Sequence, residues 1–194
     1  MGRNPELTAS VVWGTYIAEL NPMADAGEEV VWEWEAFDHL AQEFDPALPN
    51  YTSIASAARR LDVNYQADAN DEDWLHANSI AYNAELDQIL ISSRDFNEVW
   101  VINHDVPAEL VSGPAGNLIY RWGNPEAYGR GTSADRVFHS QHDARWTDTG
   151  QMTVYSNGNE RPEGFFSTVE LFTPPLLSDG TYDLEPDVAY APAT

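Results

Sequence analysis

Five histidines are spread through 194 residues, and two of them head segments of the same kind. The first segment is Asp73-Trp74-Leu75-His76-Ala77-Asn78-Ser79-Ile80, followed by Gln88-Ile89-Leu90-Ile91-Ser92-Ser93-Arg94. The second is Gln141-His142-Asp143-Ala144-Arg145-Trp146, followed by Gln151-Met152-Thr153-Val154-Tyr155-Ser156-Asn157-Gly158. An imidazole near neutral pH serves as nucleophile, proton carrier or metal ligand. Repeats stack the same position side by side, so His76 and His142 at matching points of a repeat predict a shared site. Arg94 closes the first hairpin with a forked guanidinium, and Asn78 adds a directed amide. These residue types suit an anion.

Short alternating strands must position them. Val11–Leu20 and Glu29–Trp34 read as strands joined by the turn-rich Asn21–Gly27. Residues 35–73 read as a long loop with one short helix at Ser53–Leu61, where Ala55, Ala57 and Ala58 cluster. Four strands follow: Ala77–Tyr82, Gln88–Ser92, Glu98–Asn103 and Asn117–Trp122. A Gly- and charge-rich loop, 123–141, leads to Asp143–Thr147, Gln151–Ser156 and Thr168–Phe172. The tail, 173–194, holds four prolines and reads as irregular, with an edge strand near Tyr182 as the alternative. Glu29-Val30-Val31-Trp32-Glu33-Trp34 parallels Asn117-Leu118-Ile119-Tyr120-Arg121-Trp122, each being the last strand before a long loop into a histidine-headed hairpin.

The expected fold class is therefore all-β, a β-propeller of four-stranded antiparallel blades forming one domain over 1–194. About two and a half to three blades are present, fewer than a closed ring of 4–8 needs. A sandwich is the structural alternative, but it would not require matching histidines. Exposed blade edges predict either a larger propeller or a homo-oligomer that completes the ring. In a blade, the start of the innermost strand and the ends of the second and fourth strands share one face. That topology predicts His39, His76, Asn78, Arg94 and His142 on one face of a central channel. His104 falls on the opposite face and reads as structural, and His139 as an outer neighbour of His142.

Composition excludes several function classes. The formal net charge is −23, from 32 acidic and 9 basic residues, which argues against nucleic acid and anionic membrane surfaces as partners. No cysteine is present, so disulfides, thiolate catalysis and Cys-ligated metal sites drop out. No apolar run reaches membrane-spanning length, and no signal-peptide stretch is visible at Met1-Gly2-Arg3-Asn4-Pro5. Three histidines could bind zinc or copper, but no H-x-H or H-x-x-x-H pair occurs, and no metal or other cofactor is expected. The acidic Asp68–Asp73 stretch lacks the EF-hand glycine and glutamate and reads as a solvated loop. A histidine at a strand start is commonly structural, and the seven tryptophans read mainly as packing residues.

At these residues the chain resembles the bacterial arylsulfate sulfotransferase family. The matching pieces are Val31-Trp32-Glu33-Trp34 with Asp38-His39-Leu40, Asp73–Ser79, Ile91-Ser92-Ser93-Arg94, Tyr120–Pro125, Gln141–Ala144 and Tyr155–Gly158, in the family's order. The resemblance implies a six-bladed propeller with its active site in the central channel. It also implies transfer of a sulfuryl group from a phenolic sulfate ester to a phenol, without a nucleotide donor and through a sulfated histidine. His142 is the best match for that histidine. His76, Asn78 and Arg94 match residues that bind the sulfuryl oxygens and assist proton transfer, and His39 is a candidate for a further upstream histidine. The implied partners are an aryl sulfate donor and a phenolic acceptor, and the implied location is periplasmic or secreted. A non-catalytic propeller binding module and a metal-dependent hydrolase using His39, His76 and His142 stand as alternatives.

Overall fold

A computed structural model describes residues 1–7, 11–65 and 72–193. Most of the acidic stretch read as a solvated loop, 68–71, lies outside them. The described chain is all-β, with eleven strands and only short 3₁₀ turns between them. Strands β1 (Tyr16–Leu20) and β2 (Val30–Glu35) form an antiparallel hairpin. Strands β3 (Leu40–Ala41) and β4 (Leu61–Asp62) form a minimal parallel pair. Strands β5 (Ala77–Asn83), β6 (Gln88–Ser93), β7 (Glu98–Asn103) and β8 (Tyr120–Trp122) make a four-stranded antiparallel meander. Strands β9 (Gln141–Trp146), β10 (Met152–Ser156) and β11 (Thr168–Phe172) make a three-stranded one. None of the sheets closes on itself.

Side-chain alternation explains the stacking. Along β6 and β7, Ile89, Ile91, Trp100 and Ile102 join one core with Trp32, Trp34, Trp74 and Phe96. Leu90, Val99 and Val101 point the other way, into a second core with Phe138, Met152, Val154 and Phe172. The central sheet is thus buried on both faces, between the first hairpin and the three-stranded sheet, which is why β7 reads as the nearly continuous apolar run Val-Trp-Val-Ile. His104 ties the first hairpin to the central sheet: Nδ1 lies 2.6 Å from Asp87 and Nε2 3.2 Å from Glu19.

Three expectations are corrected. Residues 53–61 form successive turns in place of a helix, with Ala57 N–H shared between the Ser53 and Ile54 carbonyls, and Leu61 already in β4. The segment is held by tertiary partners: the Arg121 guanidinium takes the Ala58 and Arg60 carbonyls at 3.1 and 2.9 Å, and Leu118 N–H bonds the Arg59 carbonyl. A packed edge outweighs the helix propensity of three alanines. The first strand begins at Tyr16, five residues later than expected, and β8 at Tyr120, after a 3₁₀ turn at Pro114–Gly116. In the tail, Leu176 and Tyr182 form a single bridge, and Tyr182 stacks on Tyr120 at 4.9 Å and donates to Gln88 at 2.7 Å.

Candidate functional site

The two histidine-headed hairpins superpose by their hydrogen bonds, and the match differs from the expected one. In the first, Ala77 pairs with Ser93, Ser93 Oγ donates to the Leu75 carbonyl, and Arg94 N–H bonds the His76 carbonyl. In the second, Gln141 pairs with Ser156, Ser156 Oγ donates to the His139 carbonyl, and the Asn157 side-chain Nδ2, in place of a backbone N–H, donates to the Ser140 carbonyl. His76 therefore corresponds to Ser140, and the backbone agrees: their φ angles are +43° and +54°. His142 corresponds to Asn78, and Asn157 to Arg94. The histidines are not at matching points but two residues apart. Each inner strand also carries a register shift, between Ala77 and Ser79 in β5 and opposite Thr153–Tyr155 in β9, where Asp143 has φ +58°. Such bulges re-aim the side chains beside them.

The shift brings His142 and Asn78 to one open hollow, lined also by Ser79, Asp143, Arg145 and Tyr155. Strands β5 and β9 form its walls and are stitched together by Asn78 Nδ2 donating to the Gln141 carbonyl at 2.9 Å and Ala144 N–H donating to Ser79 Oγ at 3.0 Å. Gln141 is fully buried and donates to the Ser93 and Glu98 carbonyls, both at 2.8 Å, which anchors the strand that presents His142. The His142 ring sits against Tyr155 at 4.9 Å, with Nε2 3.0 Å from Asn157 Oδ1. Asn78 also borders a second hollow, between β5 and Thr15–Ala18 of the first hairpin, so β5 separates two open clefts. A larger hollow lies under the tail at 175–193, lined by no histidine or basic side chain; its charged groups are Asp183 and Glu185.

The remaining candidates occupy different surroundings. His76 and Arg94 meet through their backbones at the same end of β5 and β6. Their side chains turn to carboxylates: His76 Nδ1 lies 2.7 Å from Asp73, and Arg94 contacts Asp95. Neither lines the hollow. His39 is fully buried, stacked on Trp34 at 5.1 Å, with Nδ1 3.1 Å from Asn117 Oδ1 and Nε2 without a hydrogen-bond partner. Burial pushes its pKa below the ordinary imidazole value, against the Asn117 bond. None of its partners lines the hollow, and sheet packing takes His39 into the core, away from the hollow that His142 and Asn78 share. Among the described residues, no three His, Asp or Glu side chains cluster as a metal ion requires, and no helix is long and apolar enough to cross a membrane.

Comparison with known families decides the lineage. The sequence profile described as arylsulfotransferase (ASST) matches residues 17–168. The chain belongs to the arylsulfotransferase family. No curated protein matches the chain. The arylsulfotransferase region runs from within β1 to the first residue of β11 and contains His39, His76, Asn78, Arg94 and His142. Family membership carries the class of activity, a transferase. Sequence reasoning missed Arg145, whose guanidinium lies 2.6 Å from Asp143 at the rim, and it gave Asn157 no role. Both stand in the contiguous segments Asp143-Ala144-Arg145 and Ser156-Asn157-Gly158, but only the paired register of the hairpin singles them out.

Proposed function

We propose that this arylsulfotransferase-family chain moves a sulfuryl group from a phenolic sulfate ester to a phenol through a sulfated His142. The observation that carries the reading is the meeting of His142 and Asn78, from equivalent places in adjoining hairpins, across one open hollow. In this reading the imidazole attacks sulfur and the phenol departs. Asn78 donates to a sulfuryl oxygen, and His76 and Arg94 swing from Asp73 and Asp95 to stabilise developing charge and carry a proton. A neutral imidazole is a good nucleophile near pH 7 and a good leaving group once it carries its second proton. The sheets β1–β2, β5–β8 and β9–β11 are read as the outer part of one propeller blade, a whole blade and the first three strands of another, within a six-bladed ring. Among the described residues β11 is an edge strand, which suits completion of that ring by a further copy of the chain. A periplasmic or secreted location follows from the resemblance alone.

A second reading keeps the site but not the turnover. The carboxylates on His76 and Arg94 favour it, because both groups are engaged before any substrate arrives. The test is turnover of an aryl sulfate with a phenol acceptor by the wild-type chain and by His142→Ala and His142→Asn. Transfer by the wild type, an acid-labile mass increase on His142 and loss of both in the variants support sulfuryl transfer. Retained transfer in His142→Ala removes His142 from the mechanism. Binding of the aryl sulfate without transfer supports the binding module.

A further inference from the structure

We propose that Asn157 is a positioning residue that holds His142 in one tautomer, hydrogen on Nε2 and lone pair on Nδ1, so that Nδ1 is the atom that bonds sulfur. The inference rests on the reading of His142 as the nucleophile, but its primary test does not need turnover.

The amide of Asn157 is oriented by its surroundings. Its Nδ2 donates to the Ser140 carbonyl at 2.8 Å, which turns Oδ1 toward His142 Nε2 at 3.0 Å. The flipped amide would set oxygen against the Ser140 carbonyl oxygen and is disfavoured. An amide oxygen only accepts, so Nε2 must carry the hydrogen, and a neutral imidazole then has its lone pair on Nδ1. Nδ1 has no hydrogen-bond partner among the described residues, and the ring borders the open hollow. The frame behind the amide is fixed as well. Ser140 N–H donates to Asn97 Oδ1 at 2.7 Å. Gly158 N–H donates to the His139 carbonyl at 3.0 Å. Gly158 itself has φ +80°, and a Cβ there would come within 1.9 Å of the Phe166 carbonyl oxygen, so the turn after Asn157 requires glycine.

The chemistry balances on this assignment. The Nδ1 lone pair forms the N–S bond as the sulfur–aryl oxygen bond breaks, and the departing phenoxide takes the electron pair and then a proton. The sulfated ring keeps Nε2–H and carries a positive charge, which strengthens its bond to Asn157 Oδ1. In the return step the acceptor phenol's oxygen bonds sulfur, the N–S pair returns to Nδ1, and the proton the acceptor loses matches the one the first phenoxide gained.

The experiment is nitrogen-15 long-range NMR of the histidine-labelled full chain. The wild type is expected to show His142 as the Nε2–H tautomer alone, and Asn157→Ala to show a mixture. Asn157→Leu, close to asparagine in size but without an acceptor, is expected to show the same mixture and serves if the alanine variant fails to fold. In turnover, Asn157→Ala should lower kcat about tenfold with KM unchanged, the loss of roughly one neutral hydrogen bond. A wild-type His142 in the Nδ1–H form, or a tautomer unchanged in both variants, overturns the proposal. A single tautomer with no sulfuryl transfer leaves the positioning intact and refutes only the nucleophile.

Discussion

Asp62 sits at the end of β4, and its carboxyl is pushed up from 3.8 to about 6, chiefly by burial. The Asn64 N–H at 2.8 Å and the charges of Arg121 and Arg3 offset that only in part, and Glu43 adds to it. The sign follows from linkage: the folded protein holds the proton more tightly than the unfolded chain. Stability is therefore greatest below the unfolded value and declines as pH rises through the folded one. A displacement of about two pH units is worth about 3 kcal/mol once both states are ionised, near pH 8, and about half that near pH 5. Asp62→Asn keeps the acceptor for Asn64 N–H and removes the charge. Its expected effect is a stabilisation that grows by about 1.5 kcal/mol between about pH 5 and pH 8. Urea denaturation of wild type and variant at both pH values measures it. The difference between the two proteins isolates Asp62 from the other carboxylates. A stabilisation equal at the two pH values, or a variant weaker at pH 8, would refute the claim that the buried charge is costly.

Two further outcomes are expected. Glu98 and Arg121 are both fully buried, and Arg121 also serves the Ala58 and Arg60 carbonyls. Arg121→Met should cost about 3–5 kcal/mol in chemical denaturation because it strands a buried carboxylate, while the paired replacement Glu98→Gln with Arg121→Met should cost less. His39 is buried in its neutral form with its pKa lowered, so folding stability is full above the ordinary imidazole value and falls as pH drops below it. His39→Gln should lose less melting temperature than wild type between about pH 7.5 and pH 5, as followed by circular dichroism; equal losses would mean that His39 is not the buried proton site.

Strand identity was legible in the sequence wherever a local pattern governs it. The expected runs Gln88–Ser92 and Glu98–Asn103, bounded by turn residues, fall within a residue of the observed Gln88–Ser93 and Glu98–Asn103, because period-two alternation and β-branched residues act locally. The family was legible too, since Asp73–Ser79 and Gln141–Ala144 are contiguous motifs inside the matched region. Helix propensity at 53–61 misled, because the segment answers to Arg121 and Leu118, about sixty residues away in sequence.

The site's inner register was decided only in three dimensions. Sequence spacing aligned His76 with His142, whereas the hairpin bonds align His142 with Asn78 and His76 with Ser140. The cause is backbone geometry: positive φ angles and inserted residues shift the pairing by amounts that residue identity does not announce. His39 shows the same division. Its place after β2 could be read from the chain, but its burial on Trp34 and Asn117 arises from two sheets packing together. The sequence by itself determined the strands, the acidic surface and the transferase lineage, because each rests on neighbours in the chain. Which side chains share the hollow was decided by sheet stacking and bulges, because those depend on residues that meet only after folding.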